Sequence, residues 1–411
     1  MRLRPVWAAR LLLALLLLAL AAAPAWALTV QGKVVGPTGK PVAGAYVSDG
    51  ERIVATGKDG AFRLGTRPEL VVALTAPPGL VPAKRWWWPA PQAADLDVLH
   101  LKSAPYLSSH HMRLAVVSDP HLYTADTQPP WAKGQVDPRL PMRMWKRTLV
   151  LLRQIGPDLI LLPGDLCMAG EKGDEVRGRA AMELAATATD MVPGQWRATP
   201  GNHDVRYNEG KVHLDIWREF MGPARSVYML GPVAVIMLDN VGLSRRRDGK
   251  PRNCGLTSPR ALAWLKALLD LLPQDTPLLL VSHFPLISPL AGGNPLYPRS
   301  VVSAPGPEGL ALRDVDQSTV AVLKLLAGRP VVGLISGHQH AMFDVRLMTT
   351  HHLLHLVGAP ALCGRWWQGD MNYGPVSFPP AYLQGFLVRD KDRWRLYLHQ
   401  EAIKFLAPYR P

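Results

Sequence analysis

Cysteine is scarce in this chain: three in 411 residues, Cys167, Cys254 and Cys363. An odd count excludes a complete disulfide framework, and no spacing among them resembles a cysteine-rich zinc site. No cysteine stands directly after the first apolar run, which excludes lipid attachment there. No twin arginine precedes that run. Internal repeats and low-complexity tracts are absent. Acid is in deficit, with 32 Asp and Glu against 46 Lys and Arg, so the net charge is +14. Such a balance favours anionic partners, namely phosphoesters, nucleic acid or acidic headgroups, although a basic proteome gives the same sign.

Long apolar runs are also few. The clearest, Leu11 to Ala23, is too short for an ordinary membrane span. It lies behind Arg2, Arg4 and Arg10 and ahead of Ala25-Trp26-Ala27, a small-x-small cleavage pattern. This predicts a signal peptide over 1–27 and export to the periplasm or the cell exterior by the general secretory route. An uncleaved anchor is the alternative. Loss of the segment removes three arginines and no acid, leaving +11.

What is present suits a sizeable globular protein. The length predicts two or three domains, and 48% hydrophobic residues are enough for large cores. The 39 prolines and 35 glycines predict many loops. Residues 28–75 read as short strands between turns, with Lys58-Asp59-Gly60 as a hairpin turn. This part resembles the small carboxypeptidase-regulatory-like β-sandwich, and the expected β-sandwich domain spans 28–102. Pro77 to Pro91 is proline-rich and holds Trp86-Trp87-Trp88. Three adjacent tryptophans cannot all face one core, so some meet a neighbouring domain, a ligand or a membrane surface. The rest, up to Ser109, reads as linker with one strand.

From Met112 onward strands and helices alternate, which predicts an α/β layered domain over 103–345. A C-terminal extension, 346–411, is expected to complete or cap it. Leu383 to Val388 and Trp394 to His399 read as a hairpin around Asp390-Lys391-Asp392.

The chemistry gathers at strand ends. One strand ends in Asp119-Pro120-His121, the next in Gly164-Asp165, the third in Gly201-Asn202-His203-Asp204. A later strand ends in His283 and another in Gly337-His338-Gln339-His340. In extended chain, residues i and i+2 point the same way, so His338 and His340 can face one site. Imidazoles aimed at one point suit a borderline divalent metal. In open α/β sheets the carboxyl ends of strands carry the ligand site.

This order of blocks resembles the calcineurin-like metallophosphoesterase family, over about residues 112–345. The β-sandwich in front and the extension behind resemble those of an exported branch. The resemblance implies a four-layer α/β/β/α sandwich and two divalent metal ions such as Mn, Fe or Zn. It further implies that Asp119, His121 and His340 hold one metal, that Asn202, His283 and His338 hold the other, and that Asp165 bridges them. His203 would protonate the leaving oxygen or stabilise its charge. The nucleophile would be a hydroxide bridging the metals, acting on a phosphate mono- or diester. One departure is that Cys167-Met168-Ala169 follow Gly-Asp, where many relatives carry an acid that orients the motif histidine. Glu171, Asp174 or Asp204 are left for that role.

The remaining candidates are weaker. Arg365, Trp366 and Trp367 lie in a turn-rich loop that could reach the metal crevice, one ring packed and the other facing substrate. His110-His111 reads as linker, and His351-His352 and His355 as surface strand. Arg245-Arg246-Arg247 reads as a solvated loop. Loops 123–141, 240–257, 285–315 and 361–382, with Tyr123, Trp131, Arg299 and Tyr373, would set the substrate. The expected partner is an anionic phosphoester. Contact with the cell envelope or a membrane surface stays open, and sequence-specific nucleic-acid binding is not expected. From another class, the alternative is a non-catalytic envelope-binding module.

Overall fold

The computed structural model describes residues 28–104, 111–168, 175–208, 210–245, 251–290, 315–348, 353–373 and 375–403. The leader over 1–27, His110, Glu171, Asp174, Arg246, Arg247, Arg299 and His351-His352 lie outside the described residues.

Eight short strands come first: β1 (Leu28–Val35), β2 (Tyr46–Ser48), β3 (Ile53–Ala55), β4 (Ala61–Thr66), β5 (Val71–Thr75), β6 (Leu80–Pro82), β7 (Trp87–Pro89) and, after the short helix α1 (Ala90–Ala94), β8 (Val98–Ser103). They form two four-stranded sheets, ordered β4-β1-β8-β6 and β3-β2-β5-β7. Val30, Val34 and Leu64 from one sheet meet Val47, Val72 and Leu74 from the other in a common core. The proline-rich stretch is a folded part of this sandwich. Its strands β6 and β7 are both edge strands, where proline's missing N–H is tolerated.

The α/β part runs β9 (His111–Val116), α2 (Leu140–Ile155), β10 (Leu159–Leu162), α3 (Glu175–Asp190), β11 (Trp196–Ala198), the hairpin β12 (Arg206–Asn208) and β13 (Lys211–His213), then α4 (Asp215–Phe220). It continues with β14 (Ser226–Leu230), β15 (Val233–Leu238), the hairpin β16 (Val241–Arg245) and β17 (Pro251–Gly255), α5 (Pro259–Leu271), β18 (Leu278–Ser282), α6 (Thr319–Leu326) and β19 (Val331–Ser336). Last come β20 (Phe343–Met348), β21 (Leu353–Gly358), the hairpin β22 (Met371–Tyr373) and β23 (Val376–Phe378), β24 (Ala381–Asp390) and β25 (Arg393–Ala402). His111 thus begins a strand and stacks on Phe386 at 4.5 Å, rather than lying in a linker.

Two large sheets result, β11-β10-β9-β24-β25 and β14-β15-β18-β19-β21-β20. The continuous apolar runs of their central strands follow from burial on both faces. Leu159 and Leu161 pack between the sheets, while Ile160 and Leu162 pack under α2 and α3. Leu279 and Val281 likewise face the middle layer, and Leu278 and Leu280 face α5 and α6. Helices, sheet, sheet and helices make four layers, α/β/β/α. Strands β20 and β21 lie in one sheet and β24 and β25 in the other, so residues beyond 342 belong to the layers themselves.

Helix α5 begins as its sequence suggests. Ser258 accepts from the Ala261 N–H at 3.2 Å and Pro259 takes the first helical position. No helix among the described residues is long and apolar enough to cross a membrane.

The β-sandwich is docked firmly. Thr75 donates to the Val227 carbonyl (2.6 Å), the Trp264 indole N–H to Ser48 (2.8 Å), and Arg225 to the Gly50 carbonyl (2.9 Å). Ile53 enters the core beneath α5. The tryptophan triplet divides its rings. Trp87 is buried against Gly222, Trp88 packs on the sandwich core, and Trp86 meets Trp196 edge-on at 6.4 Å.

Candidate metal centre

The parallel strands of both sheets end on one rim, and backbone hydrogen bonds stitch the turns beyond them. The Asp119 N–H donates to the Gly164 carbonyl (3.1 Å), His121 to Asp165 (3.0 Å), and Gly337 to His283 (3.0 Å). Leu362, beyond β21, donates to the Ser118 carbonyl at 2.8 Å. Two motif glycines are required by space. A Cβ on Gly201 would lie 2.2 Å from Asp165 Oδ1, and one on Gly337 would lie 2.2 Å from Ser118 Oγ.

Seven candidate ligands come together here. Asp119 Oδ1 lies 3.3 Å from His340 Nε2, which lies 3.2 Å from His121 Nε2. Asn202 Oδ1 lies 3.0 Å from His283 Nε2. Ligand atoms of His283, His338 and Asp165 lie within 4.8 Å of one another. Asp165 Oδ2 sits between the two groups, 3.6 Å from His121 Nε2 and 3.3 Å from His283 Nε2. The other Asp165 oxygen accepts the His203 backbone N–H at 2.7 Å.

The imidazoles are set up as ligands. His283 Nδ1 donates to the Pro163 carbonyl (2.8 Å) and His340 Nδ1 to the Gly364 carbonyl (2.7 Å). Each therefore leaves Nε2 for the centre, the arrangement that fixes metal-binding histidines elsewhere. Electrostatics agree. Burial would lower His283, but Asp165 and Asp119 outweigh it and push it up to about 9. Burial would raise Asp165, but His283, His203 and His121 hold it well below the usual carboxylate range. Protons are held where divalent cations would satisfy the same oxygens and nitrogens, so the donor set fits divalent metal.

The backbone is strained at the same place. Among the described residues eight non-glycine residues have positive φ, and five are Asp119, His121, Asp165, His338 and His340. Left-handed backbone at such residues costs energy and persists where surrounding contacts impose it. Trp366 (φ 48°) and Trp367 (φ 69°) are two of the other three.

Of the predicted substrate residues, Arg365 is exposed and Trp366 half-buried. Trp367 is the packed ring of the pair. It is fully buried, and its indole N–H donates to the His121 carbonyl at 3.2 Å, so it supports a ligand turn rather than meeting substrate. Cys167 is buried in the core under α2 and α3. Asp204 spends both oxygens on backbone N–H groups, Cys167 at 3.0 Å and Gly201 at 2.9 Å. It ties the Gly-Asp turn to the Gly-Asn-His turn. Burial and the charge of Asp165 push its carboxyl up to about 7, against those two bonds. His355 is buried and paired with Asp344 at 2.7 Å, not a surface histidine.

Some contributors escaped the sequence. Asn240, after β15, donates to the Phe284 carbonyl (2.8 Å) and accepts from its N–H (3.0 Å), fixing the turn that carries His283. Its place at a parallel-strand end was a usable signal. Met168 Sδ lies 3.0 Å from His121 Nδ1, and Cys363 Sγ lies 3.9 Å from His340 Nδ1. Neither has a sequence signature.

Fold and site together define a metal-dependent phosphoester hydrolase. Residues 112–342 match the model of the family described as calcineurin-like phosphoesterase, and the chain belongs to that family. The chain is thus an enzyme, and the binding-module alternative falls. No curated protein sequence matches it. Among solved structures it is similar to a dimetal phosphatase from Danio rerio, with 13% identity over 70% of this chain and 98% of that one and a TM-score of 0.43. It is also similar to a purple acid phosphatase from yellow lupin (Lupinus luteus) seeds, with 11% identity over 87% of this chain and 69% of that one and a TM-score of 0.43.

Proposed function

We propose that this protein is an exported two-metal phosphoesterase. Asp119, His121 and His340 hold one divalent ion, and Asn202, His283 and His338 the other. Asp165 bridges them. The observation that carries this reading is Asp165 Oδ2 standing within 3.6 Å of His121 Nε2 and 3.3 Å of His283 Nε2. A single carboxylate oxygen between imidazoles of two groups is what a shared ligand requires. Export rests on the leader pattern alone, and amino-terminal sequencing of the mature protein tests it.

When bound, two such ions supply Lewis acidity to the phosphoryl oxygens and lower the pKa of water between them. The chain supplies the rest. Asp119 and Asp165 bring two negative charges against four positive, and Asn202 adds none, so the centre keeps a net positive charge toward an anion. The His203 N–H fixes one oxygen of Asp165 and thereby orients the other toward both imidazoles. The half-buried His203 ring lies 5.0 Å from the His121 ring, edge-on. From there it can give a proton to the leaving-group oxygen.

The test is hydrolysis of p-nitrophenyl phosphate and bis(p-nitrophenyl) phosphate by purified protein with manganese, zinc or iron. Turnover that chelation abolishes and metal restores is the expected result. Folded protein with bound metal and no turnover of either ester would sink the proposal. The ratio of the two rates assigns mono- or diesterase.

A further inference from the structure

Beside the metal centre stands an aromatic pair that the hydrolysis itself does not use. Trp366 sets its ring edge-on to the His340 imidazole, 5.8 Å between centroids. Trp131 lies 5.9 Å from the Trp366 ring, tilted by 54°. Trp131 remains 36% exposed, so part of its ring is open to solvent.

Both rings are held by their supports. Trp131 sits on the turn Pro130–Ala132, which the Gln128 side chain braces by donating to the carbonyls of Ala132 (3.1 Å) and Val136 (2.9 Å). Trp366 sits in the loop that the His340 Nδ1 bond to Gly364 and the Trp367 bond to His121 tie to the centre. Gln368 donates to Gln135 at 3.4 Å and links the two loops. Trp366 also pays for a left-handed φ of 48° in this position. Strain at a half-buried tryptophan next to a reactive centre is a mark of a functional position.

A rigid apolar face one imidazole away from the ligand atoms suits the organic half of the ester. Every nucleobase offers a π-face, and stacking on a tryptophan is tolerant of its identity. Building on the two-metal reading above, we propose that Trp131 and Trp366 form a ring-binding subsite. It takes phosphoesters whose alcohol carries a planar heteroaromatic ring, such as a nucleoside, with the sugar spanning the gap to the phosphate. Trp366, nearer the metals, meets the ring first, and Trp131 extends the ledge outward.

The test compares adenosine 5′-monophosphate with ribose 5-phosphate, which share a phosphate and a sugar and differ in the base. Each competes against bis(p-nitrophenyl) phosphate hydrolysis by the full chain loaded with zinc. The wild type is expected to bind the nucleotide about tenfold tighter than the sugar phosphate, the size of one stacked base. Trp131→Ala brings the two inhibition constants within about threefold of each other. Trp366→Phe keeps part of the preference and Trp366→Ala abolishes it. A wild type that binds both alike, or a preference unchanged in Trp131→Ala and Trp366→Ala, overturns the subsite. Saturation-transfer NMR on the adenine protons gives a second readout that needs no turnover. A signal in the wild type that Trp131→Ala removes supports the ledge, and no signal in the wild type overturns it. Protein that hydrolyses no aryl ester defeats the two-metal reading separately, because the adenine signal still reports on the rings.

Discussion

Asp165 is the residue on which both halves of the centre depend. Its carboxylate faces imidazoles of both ligand groups, and an amide in its place would bring no charge to share. Asp165→Asn is expected to lose most bound metal, measured by mass spectrometry of the dialysed protein, and to fall to background activity. Two retained metals with near-normal turnover would remove the bridging role. His203 is different, since its backbone N–H serves Asp165 while the proposed mechanism gives its ring the leaving-group proton. His203→Ala should keep both metals and lose roughly 10²–10⁴-fold in kcat. The loss should shrink for p-nitrophenolate, a leaving group that needs no proton. An equal loss for alkyl and aryl esters would assign His203 to binding. The gathering of the candidate ligands was legible in the sequence because each ends an apolar run and faces one rim. Their supports were not. Met168 packs on His121, and the carbonyls of Pro163 and Gly364 hold His283 and His340, and a carbonyl is available in any residue.

At the scale of elements, the turns after β10 and β11 are held together by Asp204. Asp204→Ala would leave the N–H groups of Cys167 and Gly201 unpaired in a buried place, at about 1–3 kcal/mol each. The expected outcome is a lower denaturation midpoint together with weaker metal binding, because Asp165 and Asn202 sit on the two turns it joins. Unchanged metal affinity in a destabilised variant would show that the turns hold without it. The hairpin of β24 and β25 gives a contrasting case. Its turn puts Lys391 at φ 53°, far from the metals in sequence and role. Lys391→Gly should stabilise by about 0.5–1 kcal/mol with activity unchanged, read from urea melts, since glycine enters that region without steric cost. Alternation of strands and helices was readable because central strands of a two-faced sheet are continuously apolar and the helices between them are amphipathic. Three edge strands, β6, β7 and β20, were not. Strands β6 and β7 lie in a proline-rich stretch, and β20 ends in exposed residues such as Met348, so neither shows a buried run.

For the molecule as a whole, the β-sandwich is joined to the catalytic layers through shared packing. Arg197 is the centre of that joint. Its guanidinium lies 4.0 Å over Trp86 of the sandwich and 4.4 Å over Tyr228 of the other large sheet. It is fully buried, and among the described residues no carboxylate pairs with it. Burial lowers its pKa to about 10, so the cation remains and the rings are its counterpart. Trp86→Ala is expected to cost about 2 kcal/mol, the worth of a desolvated cation–π contact. With Ile53 inside the catalytic core, calorimetry should show one transition for sandwich and catalytic layers, shifted as a unit in Trp86→Ala. Two separate transitions in the wild type would mean that the sandwich is an independent appendage.

The strand β24 has a consequence for synthesis. It lies between β9 and β25 in the sheet that carries Asp119 and Asp165, although it is made some 270 residues after β9. A nascent chain that has reached only residue 380 holds every metal ligand yet exposes the whole open side of β9. Such an edge is a template for pairing with another chain. Closure of the centre must therefore wait for β24, and chains truncated ahead of it should gather in aggregates rather than as metal-binding intermediates.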